Sequence, residues 1–556
     1  MKHLLPALLL GFMPLVARAQ TAPGWIQASV LTDPAGAFIT PSLAADATGN
    51  TYVAGGFSQT ITLAAGTTLT TQGGQDGYVA KYGPTGNLLW YRQLAGTGAD
   101  YFQALVTDAS GGVSLLGAAG DGAQLGTTTF AASSFGSSLV LARLDAQGAV
   151  LGLQEIGTGS LLAATSLARD PAGNLYLSGR FALDATFGSF SLSTPIGGTG
   201  YALDQFVVKL SATGTPLWAQ QGGRVTISAG TYTPLFSSHL VAGAGGVYLN
   251  WTCNAAAGGF GSLALPAGLG DYDGLAVKFD LQGNPLWAKR VGGAGADYSS
   301  YGQLDAAGRF VLPGFSTAAG YFNNPSTVNN NIVSNGYVTV LDPATGAAAW
   351  TNTLVATSGG AFRDVAADAS GNIYAAGHFV GQGTLGSTTL TSAGGFDAVV
   401  ASYSANGTLR WTQKSSGTGD EIPAAIALDG TSRLTLVGGL SGSGQFGSVA
   451  VSAPVSTNGL ASPFVARLGS IVTATRAGQA VAPLALYPNP AATTSGATLP
   501  ALPVGTQLTL LNAVGRVVRQ QVAAPTLSLA GLAPGFYEVQ AVAPSGAQWT
   551  SRLVVE

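Results

Sequence analysis

The sequence predicts an all-β chain, and three observations carry that prediction. Charged residues make up 8% of the 556 and hydrophobic ones 46%, whereas about a quarter of a typical domain is charged. Glycine occurs 81 times, too often for long helices, where each costs about 1 kcal/mol relative to alanine. A phrase of Asp, Gly and alternating β-branched or aromatic residues also returns at a near-constant step, the signature of a repeat architecture.

The first copy of that phrase is Asp46-Ala47-Thr48-Gly49-Asn50-Thr51-Tyr52-Val53. Close copies begin at Asp170 and Asp368, weaker ones at Asp108, Asp305 and Asp429, and a degenerate one at Ala242. Asp followed three residues later by Gly suits a tight hairpin, because Asp caps the turn and Gly accepts positive φ. A second phrase follows each hairpin: Asp76-Gly77-Tyr78-Val79-Ala80-Lys81-Tyr82, then Gly86, then Trp90. Its copies lead to Trp218, Trp287, Trp350 and Trp411, while Gly152 stands in the tryptophan position of the second copy. Each unit therefore holds four short strands.

The ends complement each other. The last copy, Ser462 to Leu468, has no tryptophan strand after it, and Trp25-Ile26-Gln27 stands alone before the first hairpin. Joining them completes a seventh unit and leaves no sheet edge unpaired, which is how a radial array closes. An open solenoid needs no such complementarity. The expected fold is a seven-bladed β-propeller over 20–469, with four-stranded blades and the N-terminal strand closing the last blade. These units resemble bacterial β-propeller repeats with a D-x-x-G-N-x-Y hairpin, a D-x-F/Y-V-x-K strand and a W-x-x-Q strand.

The chain opens with Lys2, an apolar run from Leu4 to Val16, and Ala17-Arg18-Ala19 before Gln20. That pattern predicts a secretory signal at 1–19, cleaved between Ala19 and Gln20. No later apolar run has the roughly 20 residues that a spanning helix needs.

Beyond a linker at 470–480 the repeat stops, and alternating strands separated by turn residues predict a small β-sandwich at 481–556. Its blocks are Tyr487-Pro488-Asn489-Pro490, Asn512 followed by Gly515 and Arg516, Gly535 followed by Tyr537, and a last strand containing Arg552. This stretch resembles the type A C-terminal sorting domain of the type IX secretion system, with Asn512 where Asp is common. The resemblance implies passage across the outer membrane, partners in the type IX machinery and a sortase-like peptidase, and release or surface attachment.

Chemistry is harder to place. A net charge of −3 gives no positive field for nucleic acid. One Cys and three His are too few for a zinc site. His239 and His378 read as structural, with no neighbouring nucleophile, and Cys253 as a buried small hydrophobe. No catalytic constellation emerges, and the chain is read as a non-enzyme.

Carboxylates remain. Asp76, Asp204, Asp273 and Asp397 share one periodic position, filled by Ser138, Asn335 and Ser462 in the other units. Asp100, Asp297 and Asp420 follow glycine-rich turns. On one face of a propeller, this ring of oxygens could hold Ca²⁺ or hydrogen-bond a sugar. Interchange of Asp, Asn and Ser is also what turn capping predicts, and that reading is preferred. The periodic tryptophans are expected to pack neighbouring sheets, and the recurrent Lys81, Lys209, Lys278, Arg143 and Arg467 to line a solvated face. The functional expectation is an exported surface or secreted protein that binds a glycan or surface protein, or serves as a scaffold. Two alternatives stay open: a polysaccharide hydrolase or lyase using paired Asp residues, and a calcium-stabilised adhesin.

Overall fold

The computed structural model describes residues 22–30, 42–131, 137–194, 201–227, 238–253, 258–267, 272–292, 295–317, 334–430, 432–453, 462–470, 482–494, 496–512, 517–544 and 548–556. The cleavage segment Ala17, Ala19 and Gln20 lies outside these residues, as do Gly515 and Arg516 of the sorting blocks. Two compact units are present, Met1–Ile471 and Val472–Glu556.

The larger unit is an all-β propeller. Its first blade is made of strands Ser42–Ala45, Thr51–Phe57, Asp76–Tyr82 and Leu88–Ala95, paired in that order and all antiparallel. Among the described residues seven such four-stranded sets occur. The innermost strands adjoin one another in chain order, and Asp420–Leu428 returns to touch Ser42–Ala45. Strand Trp25–Val30 pairs antiparallel with Ser462–Ser470, placing Ala28 opposite Ala466. The orphan strand at the front thus supplies the outer strand of the last sheet.

The repeated aspartate folds the hairpin between the first two strands. Asp46 Oδ1 accepts the amides of Thr48 and Asn50, and Oδ2 accepts Asn50 Nδ2 and the Tyr52 hydroxyl. Burial works to raise the Asp46 pKa, but the bonds from Asn50, Thr48 and Tyr52 together bring it down to about 2. The Asp, Asn and Tyr of the phrase therefore act as one polar knot, repeated at Asp170 and Asp368.

Consecutive blades are joined by a row of three side chains. Tyr52, Lys81 and Trp90 lie side by side across adjacent strands. The Lys81 ammonium sits 4.9 Å from the Tyr52 ring centre, and both Lys81 Nζ and Trp90 Nε1 donate to Ala146 O in the next blade. Lys209 and Trp218 converge in the same way on Leu281 O, and Lys278 and Trp287 on Pro343 O. Packing is thus the role of these tryptophans. The lysines differ from the solvated face expected of them: Lys81 and Lys278 are buried, because each ammonium finds a carbonyl and an aromatic face within the blade junction.

A second device has no signature in the sequence. The innermost strands bulge near Gln103, Thr165, Arg363 and Ala424. Opposite these bulges stand Gly117, Gly179, Gly377 and Gly438, where an added Cβ would fall 2.0–2.2 Å from the carbonyl oxygens of Tyr101, Ala163, Ala361 and Ile422. Only glycine lets the two backbones approach so closely. Gly179→Ala should therefore destabilise the propeller by about 1–3 kcal/mol, the usual cost of overpacking. Gly245→Ala, with open space at its Cβ, should cost much less, and equal urea midpoints for the two variants would refute this account.

The smaller unit has a five-stranded sheet whose centre is formed by Gln507–Asn512, Gly535–Val542 and Gln548–Val555, and a two-stranded sheet of Ala497–Thr498 with Leu527 and Thr526. Leu508, Leu510, Leu527, Leu529, Val539 and Leu553 fill its core.

Candidate functional site

Two regions concentrate polar chemistry: the junctions between blades, where the predicted aspartates fall, and the axis of the ring.

Asp76, Asp204, Asp273 and Asp397 sit near the start of the third strand of their blades, opposite Phe57, Phe181, Cys253 and Phe379. All four are at most 1% exposed, so a polymeric substrate does not reach them. Each is met by a side chain from the fourth strand. Arg224 binds Asp204 through two bonds of 2.9 Å, Arg290 pairs with Asp273, Lys414 Nζ lies 2.9 Å from Asp397 Oδ2, and Gln93 Nε2 lies 2.6 Å from Asp76 Oδ2. Gln93, Arg290 and Lys414 occupy one register position, opposite Tyr78, Leu275 and Val399.

The second group lies where the chain enters the next blade. The Asp100 amide donates to Gln75 O and the Asp297 amide to Tyr272 O, both at 2.8 Å. In the sixth blade the equivalent bond to Phe396 O comes from Glu421. The structural register therefore moves the third member of this group from Asp420 to Glu421. Asp420 is one residue earlier and caps the Phe396 amide instead. The sequence already contains the clue: Gly96-Thr97-Gly98-Ala99-Asp100 aligns with Gly417-Thr418-Gly419-Asp420-Glu421.

These carboxylates are brought together two by two, Asp76 with Asp100 and Asp397 with Glu421. Burial raises the pKa of Asp100, and the charge of Asp76 adds to the effect. Burial likewise pushes Glu421 up to about 7, with the charges of Asp397 and Asp420 contributing. Ca²⁺ takes six to eight oxygens, and among the described residues no group of three or more His, Cys, Asp or Glu gathers to hold a metal.

Along the axis the innermost strands line a cavity of about 430 Å³, within the usual range for small-molecule sites. Its polar lining includes Gln103, Thr165, His239, Tyr301, Gln303 and Asp364. The bulges and glycines described above place Gln103 and Thr165 there. Asp364 accepts the amides of Val365 and Ile426, both at 2.8 Å. Burial pushes its carboxyl up to about 8 despite those bonds, so it is largely protonated at neutral pH. His239 packs on the Tyr301 ring, and burial lowers it to about 3, leaving a neutral imidazole. His378 is likewise lowered to about 3, by burial and by the nearby Arg363. The axial lining is thus rich in neutral hydrogen-bonding groups, with Arg169 as its one charged side chain among the described residues. Sequence reasoning missed Tyr301 and Asp364, since neither belongs to a repeated phrase.

In the smaller unit, Asn489 Nδ2 donates to Arg552 O at 2.6 Å, and Asn489 Oδ1 accepts the Val554 amide at 2.9 Å. Asn512 lies opposite Tyr537, whose hydroxyl donates to Ala533 O. Tyr487 is exposed.

No protein-family profile matches the chain, and no curated protein matches it. Among solved structures, a puromycin hydrolase is 14% identical, covering 79% of this chain, with a TM-score of 0.39. This chain spans 58% of the length of that hydrolase chain. A chain of the mitotic checkpoint complex is 10% identical over 84% of this chain and 100% of its own, with a TM-score of 0.37. PorZ, an essential bacterial surface component of the type-IX secretion system of Porphyromonas gingivalis, is 11% identical over 95% of this chain and 100% of its own, with a TM-score of 0.14. Likeness at this level assigns no residue of this chain a role.

The buried pair of Arg290 and Asp273 offers a direct test of the junctions. Arg290→Met leaves a carboxylate in a site with no exposure and should cost about 3–5 kcal/mol, the usual penalty for stranding a buried charge. Denaturant unfolding that shifts by less than about 1 kcal/mol, the range of exposed pairs, would place Asp273 in contact with water.

Proposed function

We propose that this chain is an exported surface or secreted protein whose propeller binds a polyhydroxylated ligand such as a glycan. In this reading, 481–556 is a type IX sorting domain that is removed after delivery. The observation that best supports the sorting role is the grip of Asn489 on both Arg552 O and Val554 N–H. It ties the Tyr487-Pro488-Asn489-Pro490 block to the final strand, so the first and last of the resembling blocks form one recognition surface beside the exposed Tyr487. No helix of the described residues is long and apolar enough to cross a membrane.

Removing 472–556 should leave the protein in the periplasm, while Asn489→Ala, which loses two hydrogen bonds worth about 0.5–1.5 kcal/mol each, should reduce delivery in part. Cell fractionation with a protease-shaving assay reads both. Undiminished surface delivery of the truncated chain would refute the sorting role.

The axial cavity supports the binding role. Mostly neutral donors and acceptors, with the Arg169 guanidinium as a further donor, suit sugar hydroxyls, and the Tyr301 ring suits an apolar sugar face. A glycan array probed with the intact chain should show bound sugars whose affinity falls about tenfold or more in Tyr301→Ala, as loss of one stacking contact and its neighbours predicts. Binding unaffected by Tyr301→Ala would move the ligand away from the axis. Product release in the same assay would favour the hydrolase alternative.

A further inference from the structure

The repeat supplies its own control for the buried acids. In the fifth blade the first acid is replaced by Asn335, which accepts the Ala356 amide through Oδ1. There the second acid is replaced by Gly360, whose amide makes the bond to Ser334 O that Asp100 makes to Gln75 O. Where Asp397 meets Glu421, the fourth strand provides Lys414, and where Asp273 occurs it provides Arg290. Asp204 has Arg224. At the first junction alone, among these five, two acids are joined by a neutral Gln93.

The geometry there is closed. Asp76 Oδ2 accepts the Gln72 backbone amide and the Gln93 side-chain amide, and Asp100 Oδ1 accepts the Gly120 amide at 2.7 Å. The other oxygens, Asp76 Oδ1 and Asp100 Oδ2, are buried and meet no side-chain donor, and both residues are 0% exposed. The two carboxyls converge on Gly96, whose amide bonds Asp76 and where an added Cβ would meet Asp100 Oδ2. Of the charged side chains on the neighbouring elements, Arg92 donates to Tyr91 O, the charge of Arg180 acts on Tyr101, and Asp121 is exposed.

We propose that Asp76 and Asp100 hold one proton between them, so that the first blade junction carries a proton where the others carry Arg, Lys or a neutral side chain. Two buried carboxylates cannot both stay ionised without a counter-charge, and a proton needs no room beyond that already present. Burial raises both groups, in keeping with this arrangement. The sign follows: the folded state holds a proton that the unfolded chain releases above the ordinary carboxylate pKa of about 4. The resulting stability is complete below that value and is lost as pH rises through the folded pKa.

The test is the pH dependence of unfolding of the full chain, followed by tryptophan fluorescence in EDTA. Asp100→Asn replaces the proton by an amide donor toward Asp76 and keeps the acceptor for Gly120. Relative to this variant, the folding constant of the wild type should fall by up to about tenfold per pH unit above about pH 4, the slope of one linked proton. Asp76→Asn, which copies the residue found at Asn335, should flatten the profile in the same way. Parallel profiles for wild type and variants would overturn the proposal, as would millimolar Ca²⁺ abolishing the wild-type dependence, which would make the pair a metal site. If both variants fail to fold, infrared spectroscopy decides the matter on an Asp364→Asn, Glu421→Gln chain, which lacks the carboxyls pushed up to about 8 and about 7. At neutral pH this chain should still show the carbonyl stretch of a buried protonated carboxyl, and spectra lacking it would refute the shared proton.

Discussion

The propeller depends on how one blade holds the backbone of the next. A tryptophan on the outer strand covers a glycine in the neighbouring turn so closely that an added Cβ would lie within 3 Å of the ring. This is seen for Trp90 on Gly148, Trp218 on Gly283, Trp287 on Gly346 and Trp350 on Gly407. Those glycines have positive φ, so the turn and the contact require the same residue. A buried carbonyl left without a donor would be costly, and here the indole and a cation both reach it. The cation need not be lysine. In the fifth blade Arg309 joins Trp350 at Ala405 O, and in the last blade Arg433 and Arg467 meet at Pro84 O.

Much of this was legible because each part has a local cause. The Asp46 phrase marks a hairpin, Trp marks an outer strand, and the unmatched Trp25 segment marks where the ring closes. What stayed hidden lies between units. The sequence shows Lys81 in a strand but not the carbonyl of Ala146, 65 residues later, that draws it inward. It shows Gly179 among 81 glycines without the Ala163 carbonyl that forbids any other residue there. The shift from Asp420 to Glu421 has the same origin, since the bond that defines the position runs to the preceding blade at Phe396. Tyr301 and Asp364 could not be found by looking for repetition, because they are departures from it.

That distinction separates structure from candidate function. Side chains that recur from unit to unit, the capping aspartates and the tryptophans, are occupied by the fold itself. The acids at the junctions share this fate: their burial and their partners explain their periodicity without a ligand. The axis is different. There the units contribute unlike residues to one cavity, and a site that breaks the symmetry of the ring can distinguish the parts of an asymmetric ligand.

The second blade shows how far the joining device can be altered. It has Gly152 where Trp is expected, and the guanidinium of Arg143 comes within 3.1 Å of the place its Cβ would occupy. The turn glycine of the third blade, Gly214, is covered instead by Gln154 and Leu141, and Gln154 Nε2 donates to the glycine's own carbonyl at 3.1 Å, as Asn352 does to Gly407 O in a junction that keeps its tryptophan. The glycine has a cover and its own carbonyl a donor, although the tryptophan is gone. What the junction keeps is a set of physical requirements: a positive-φ turn and side chains packed over its glycine. A blade that loses the tryptophan can therefore hold its place in the ring if neighbouring positions change with it, which makes the second and third blades the part of the propeller where insertion or divergence disturbs the repeated Tyr-Lys-Trp row least.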